Sequence, residues 1–231
     1  GGDARKMLNT LEVSMHLIFG KGPITEKILS EALQRRSQLY DKTGDYHYDT
    51  ISAFIKSVRG SDPDAAIYWL AIMIEGGEKP EFIARRLVIL ASEDISNADP
   101  QGLTLAVSGF QAIHMIGMPE AAIILAQVTT YLSGAPKSNA SYRAIQTALE
   151  QIKEEGTPGV PLHLRNAPTG LMKALDYGKD YEHPHTHPKH FVDVNYFPDG
   201  SEKSFYHPTE QGYEKFISER LKHFWPDRYK D

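Results

Sequence analysis

GSDPDAAIYWLAIMIEGGEKPEFIARRLVILASEDISNADPQGLTLAVSGFQAIHMIGMPEAAIILAQVTTYLSG, from Gly60 to Gly134, is the stretch whose punctuation decides the fold. Pro63, Pro80, Pro100 and Pro119 recur roughly every 20 residues, each where a helix can begin, because a first turn does not need the amide hydrogen that proline lacks. Asp62 and Asp99 are natural N-caps, with carboxylates able to accept from first-turn N–H groups. Gly60, Gly76-Gly77, Gly117 and Gly134 fall where those helices should stop, since a left-handed cap is easy only for glycine. This pattern predicts a stack of short antiparallel helices. Their faces are apolar nearly all round: Ile67, Leu70, Ala71 and Ile74; Phe82, Ile83, Leu87, Leu90 and Ala91; Leu103, Ala106, Val107 and Phe110; Ala122, Ile123, Leu125, Ala126 and Val128. Such helices must be covered on more than one side, either within one chain or by a neighbouring subunit, since an obligate interface resembles a core cut in half.

Toward the N-terminus, Ala4, Met7, Leu8, Leu11, Met15 and Ile18 recur at helical steps between Asp3 and Phe19, ended by Gly20, Gly22 and Pro23. Ile28, Leu29, Ala32 and Leu33 predict a second helix after Thr25, and the polar run Tyr40–Tyr48 around Gly44 reads as a linker. Beyond Gly156, Pro158, Pro161, Pro168, Pro184, Pro188, Pro198 and Pro208 break the chain, and only Thr169–Leu175 and Thr209–Phe224 keep a helical rhythm. Phe191–Tyr196 and Lys203–Tyr206 flank Asp199-Gly200, a hairpin signal. The expected architecture is all-α, with an N-terminal helical piece at 1–44, a helical core at 45–156 and an irregular cap at 157–231 holding at most one hairpin.

With 231 residues, 41% hydrophobic and 24% charged, the chain can bury a core and belongs with soluble globular proteins. A net charge of −5 argues against a dedicated nucleic-acid module, although a local basic patch remains compatible with it. Zero Cys excludes disulfides and thiolate metal sites and suits a reducing, cytoplasmic setting. No apolar run approaches the roughly 18 residues that a membrane span needs. The chain starts inside a helical pattern without an initiator Met, so a piece of a larger protein is expected.

Gly2-Asp3-Ala4-Arg5 followed by Leu8-Asn9 resembles the sensor-2 element of AAA+ ATPases of the clamp-loader and Holliday-junction-helicase kind, in which the Arg reaches the nucleotide γ-phosphate from the lid. Further stretches carry a closer resemblance: Ile51–Asp64 with Ala66–Met73, Ala84–Pro100 (ARRLVILASEDISNADP), Ala135–Asn139 (APKSN), Val160–Pro168 (VPLHLRNAP), His185 in its Pro-rich setting, and Phe205–Tyr213 (FYHPTEQGY). Together they resemble the C-terminal half of the replication-associated recombination protein A family, relatives of the Werner-helicase-interacting ATPase, over essentially the whole chain. The resemblance implies a lid remnant followed by a clamp-loader-collar-like helical domain that assembles four subunits. It also implies a parent that hydrolyses ATP with Mg2+, acts on DNA at stalled forks and contacts single-stranded-DNA-binding protein, in the cytoplasm near the nucleoid. Arg5 would be the nucleotide-binding residue of that parent.

No G-x-x-x-x-G-K-[ST] occurs in the chain, so no phosphate cradle is present and no ATPase activity or bound cofactor is expected of this half alone. Lys137, Ser138 and Asn139 resemble an anion-friendly helix start, and His163, Arg165 and Asn166 form a polar group; both sets are candidates for DNA or a neighbouring subunit, or for capping and turn bonds only. His183, His185, His187 and His190 could offer imidazoles to a metal, though an incidental loop is the blander reading. Glu93, Asp94 and Asp99 with Arg85 and Arg86 read as a structural corner rather than an acid–base pair. Two rivals to the assembly reading are a helical adaptor scaffold and a His-loop metal-dependent hydrolase.

Overall fold

The computed structural model describes residues 22–39, 45–200 and 202–230, with positions 7, 11, 14, 15, 17 and 18. Helix α1 spans Glu26–Leu39, α2 Asp45–Arg59, α3 Pro63–Glu75, α4 Pro80–Leu90, α5 Gln101–Ile116, α6 Ala121–Gly134, α7 Ala140–Glu155, α8 Gly170–Ala174 and α9 Gly212–Phe224. The fold is all-α, as the punctuation predicts. Two of the four prolines open their helices, at Pro63 and Pro80, and the other two stand just ahead of α5 and α6. Asp62 Oδ1 accepts from the Ala65 amide at 2.9 Å, and Asp99 Oδ1 from the Gln101 amide at 3.1 Å. Gly77 and Gly117 adopt positive φ where α3 and α5 end.

The chain forms two compact units, residues 1–90 with 105–134 and residues 91–104 with 135–231. In the first, α6 packs against α2, α3 and α4. That placement explains why α6 is apolar on several faces: Ala121, Leu125, Val128, Thr129, Leu132 and Ser133 are all buried. Phe54 and Val58 of α2, Leu70 and Met73 of α3, and Ile83 and Leu87 of α4 complete the core. Gly109 of α5 permits close approach to α6, since a Cβ there would lie 2.6 Å from Cγ2 of Val128. Not every apolar residue of these helices is covered: Tyr68, Ile89, Leu103, Val107, Met115, Ile116 and Ile123 remain exposed.

In the second unit, the residues that follow α4 tighten into a π turn, Ala91–Ile95, and a 3-10 turn, Ser96–Ala98, against which α9 and α7 pack. Ala91, Ile95, Ala98, Ala135, Ala140 and Val192 are its buried apolar residues. Phe191 stacks on Phe224 with centroids 4.5 Å apart and meets Trp225 edge-on at 5.1 Å. The hairpin signal at 191–206 does not produce a ladder, and no strand occurs among the described residues. The reason is partly local and partly distant: Pro198–Gly200 closes a 3-10 turn, the Phe197 amide donates to Asn195 Oδ1 at 2.8 Å, and the Asn195 carbonyl contacts His163 Nε2 at 3.1 Å. Groups that a ladder would use are held by side chains. No helix among the described residues is long and apolar enough to cross a membrane.

Candidate interaction site in the C-terminal segment

Three of the sequence motifs meet at one carboxylate. Glu214, in the first turn of α9, is fully buried. Its Oε1 accepts from the Tyr206 hydroxyl at 2.7 Å, and its Oε2 from the Thr209 amide at 3.0 Å and the Thr209 hydroxyl at 2.6 Å. The Ser138 hydroxyl bonds to it as well. Burial alone would raise the Glu214 pKa, but the bonds from Ser138, Thr209 and Tyr206 outweigh it and hold the carboxyl below its ordinary value. Tyr206 also accepts from the Asn97 amide at 3.1 Å, and burial together with the adjacent carboxylate pushes its phenol up to about 12. Gly212 sits at φ +50, where a Cβ would overlap the Ala98 carbonyl oxygen and Cγ of Pro136.

These bonds decide the role of Lys137, Ser138 and Asn139. Ser138 is buried, accepts from the Ala140 amide at 3.2 Å, and its own amide donates to the Asp94 carbonyl at 2.8 Å. The Lys137 ammonium donates to the Ala135 carbonyl at 2.6 Å, and burial lowers its pKa against the opposing pull of Asp94. Asn139 is exposed at the start of α7, and its side chain makes no cap bond. The helix start therefore turns two of its three candidate groups inward. Tyr206 and Asn97 lie inside the motifs Phe205–Tyr213 and Ala84–Pro100, whereas Glu214 stands one residue beyond the first and is not marked by it. A signal was available in the first-turn Glu following Thr209, since a first-turn carboxylate that reaches back to an upstream amide is the capping-box bond.

His163, Arg165 and Asn166 do come together, on the wall of an open cleft of about 830 Å³ that also takes in Lys173, Tyr177, Lys179, Tyr181, His183 and Tyr196. Arg165 is braced: Nε donates to the Val160 carbonyl at 2.6 Å, NH1 to the Tyr177 hydroxyl at 3.3 Å, and the guanidinium lies 5.1 Å from the Tyr177 ring centre. The Gly178 amide donates to the Leu162 carbonyl at 2.8 Å, and a Cβ at Gly178 would come within 3.0 Å of the Arg165 carbonyl. Lys179 pairs with Asp176 at 3.2 Å.

The histidine loop divides into two. His185 and His190 bring their Nδ1 atoms to 3.3 Å, whereas His187 turns to Glu182 at 3.2 Å and His183 Nδ1 accepts the His185 amide. Among the described residues no group of three or more His, Cys, Asp or Glu side chains is arranged to hold a metal ion. Arg5 lies outside the described residues.

Comparison with known proteins defines the class. Residues 60–225 match the family described as MgsA AAA+ ATPase C terminal, and residues 1–59 match the AAA C-terminal domain. The chain is thus of the helical kind found at the C-terminal ends of AAA+ ATPases. It belongs to the MgsA C-terminal family. It is 43% identical over 232 residues to replication-associated recombination protein A of Coxiella burnetii, covering 96% of this chain and 52% of that protein. It is 42% identical over 226 residues to the Escherichia coli K12 protein of that name, covering 95% and 51%, and 46% identical over 162 residues to ATPase WRNIP1 of Dictyostelium discoideum, covering 70% and 18%. The chain spans about half the length of the two bacterial relatives.

Proposed function

We propose that this chain is the assembly region of an AAA+ ATPase that works in DNA replication and recombination. It holds copies together, as a tetramer, so that nucleotide-driven motion in each is transmitted to DNA; ATP, Mg2+ and the contact with single-stranded-DNA-binding protein belong to the longer protein, in the cytoplasm. The names of the relatives support the setting. The observation that carries the assembly role is α7, a helix of 16 residues with Ala140 as its buried residue. Tyr142, Ile145, Leu149 and Ile152 are exposed at steps of three and four, a stripe along one side of a rod about 24 Å long. Exposed apolar surface of this extent is characteristic of an interface. Met115 and Ile123, 82% and 72% exposed, add apolar surface at the ends of α5 and α6 that face one another in the chain order.

Molar mass by light scattering tests this. A tetrameric mass at micromolar concentration is expected, and a monomer persisting at high micromolar concentration overturns it.

A further inference from the structure

We propose that the cleft walled by Arg165, Lys173, Tyr181 and Tyr196 binds a single strand of nucleic acid. The inference extends the DNA-linked part of the reading above to residues of this chain, and it stands or falls separately from assembly.

The charge in the cleft departs from that of the chain. Against an overall charge of −5, the cleft gathers Arg165, Lys173 and Lys179 around one carboxylate, Asp176, which Lys179 already pairs. Arg165 spends Nε and NH1 on Val160 and Tyr177, but a guanidinium carries five N–H donors, so the bonds that fix its direction leave others for a ligand. That is how a phosphate-binding arginine is prepared, with its rotamer fixed before the anion arrives. Lys173 projects from the short helix α8 as an exposed point charge.

Cations alone would suit any anion. Tyrosines select among them. Tyr181 and Tyr196 are 46% and 41% exposed, and their rings belong to the same wall as the cations. An exposed aromatic beside a positive groove is the arrangement that unpaired bases stack on, and it works for every base because every base has a π face. An acidic peptide would use the lysines and leave both rings idle. A duplex would keep its bases stacked on each other. The cleft, at about 830 Å³, is of the size and openness that a strand can lie in, within the range of ligand-binding pockets.

The test is fluorescence anisotropy of a labelled oligothymidylate with the full chain, across a salt series. Two to three phosphate contacts predict a slope of log affinity against log salt of about −1.4 to −2.1 for a single strand. Lys173→Glu should weaken binding about three- to tenfold at low salt and make the slope shallower by about 0.7. Tyr181→Ala combined with Tyr196→Ala should weaken it at least about fivefold at every salt concentration, because stacking is insensitive to counterions. Lys215→Glu, an exposed change on α9 outside the cleft, should leave binding unaltered, and light scattering of all variants should match the unsubstituted chain. The proposal is overturned if the strand does not bind, if Lys215→Glu matches Lys173→Glu, or if the tyrosine pair can be removed without loss. Displacement of the strand by oligoglutamate at equal concentration also overturns it, in favour of an acidic peptide.

Discussion

The hydroxyl of Tyr206 donates to Glu214 at 2.7 Å while accepting from Asn97 at 3.1 Å, so that one oxygen ties together positions 109 residues apart. Removing it takes one bond from each partner, leaving Asn97 its contact with the Ser141 hydroxyl at 3.3 Å and Glu214 its bonds from Thr209 and Ser138. Tyr206→Phe should destabilise the second unit by about 1–3 kcal/mol, the cost of a buried polar group left without its bond. Glu214→Gln should be at least as damaging, because an amide presents donors where Tyr206, Thr209 and Ser138 already donate. Chemical denaturation of each variant, followed by circular dichroism, checks both, and a midpoint unchanged by either substitution contradicts the network's importance.

The same pair contributes to the pH dependence of stability at both ends. Glu214 titrates below its unfolded value, so its contribution is complete above the ordinary carboxylate range and is lost as pH falls through the folded pKa. Tyr206, raised to about 12, behaves in the opposite sense: its contribution is complete below the unfolded phenol value of about 10 and is lost as pH rises from there toward 12. Denaturation midpoints measured from about pH 3 to pH 11 should form a plateau with both shoulders. Tyr206→Phe should weaken the alkaline shoulder and, by removing one of the bonds that lower the Glu214 pKa, reduce the acid shoulder as well.

Gly212 is the position where a single methyl group should matter most. Gly212→Ala combines a positive φ with overlap against the Ala98 carbonyl and Pro136, and neither obstacle is the free end of a flexible side chain. A loss of about 2–4 kcal/mol is expected, read as a lowered thermal midpoint. Gly134→Ala, where an added Cβ meets nothing within 4 Å, is the matched control and should be near neutral.

Assembly should respond to α7 and not to the core. Ile145→Asp with Leu149→Asp places two charges in the exposed stripe of a helix whose fold does not depend on them. The proposed tetramer should dissociate, with helical content retained in the far-ultraviolet spectrum. Retention of the full mass by the double variant would remove α7 from the interface.

The helical skeleton was legible because its signals are local. Pro63 and Asp62 act within one turn of each other, and a glycine at a stop needs no distant partner. Apolar periodicity likewise located Leu70, Leu87 and Leu125, but it could not say whether Ile123 would be covered by its own chain, since a repeat of three and four describes a stripe and not what lies against it. The C-terminal segment was harder. Asp199-Gly200 carries a hairpin signal, yet side chains far along the sequence, His163 and Phe224, engage the arms before a ladder can form. Glu214 is hard to read for a related reason: a lone acid in a first turn reads as a dipole partner, and its four donors come from residues 138, 206 and 209, which only the folded chain assembles. His163, Arg165 and Asn166 were marked by polarity, while the exposed tyrosines beside them were not, because exposure is invisible in a sequence.

The carboxylate that closes the second unit belongs to α9, downstream of every other member of its network. Asn97 and Ser138 are synthesised before it, and the acceptor that ends their chain of bonds is not available until residue 214 has left the ribosome. Residues 91–98 must therefore wait until α9 has emerged before their network of bonds is complete. Helix α9 is in this sense a latch: a nascent chain halted before it carries an unfinished fold.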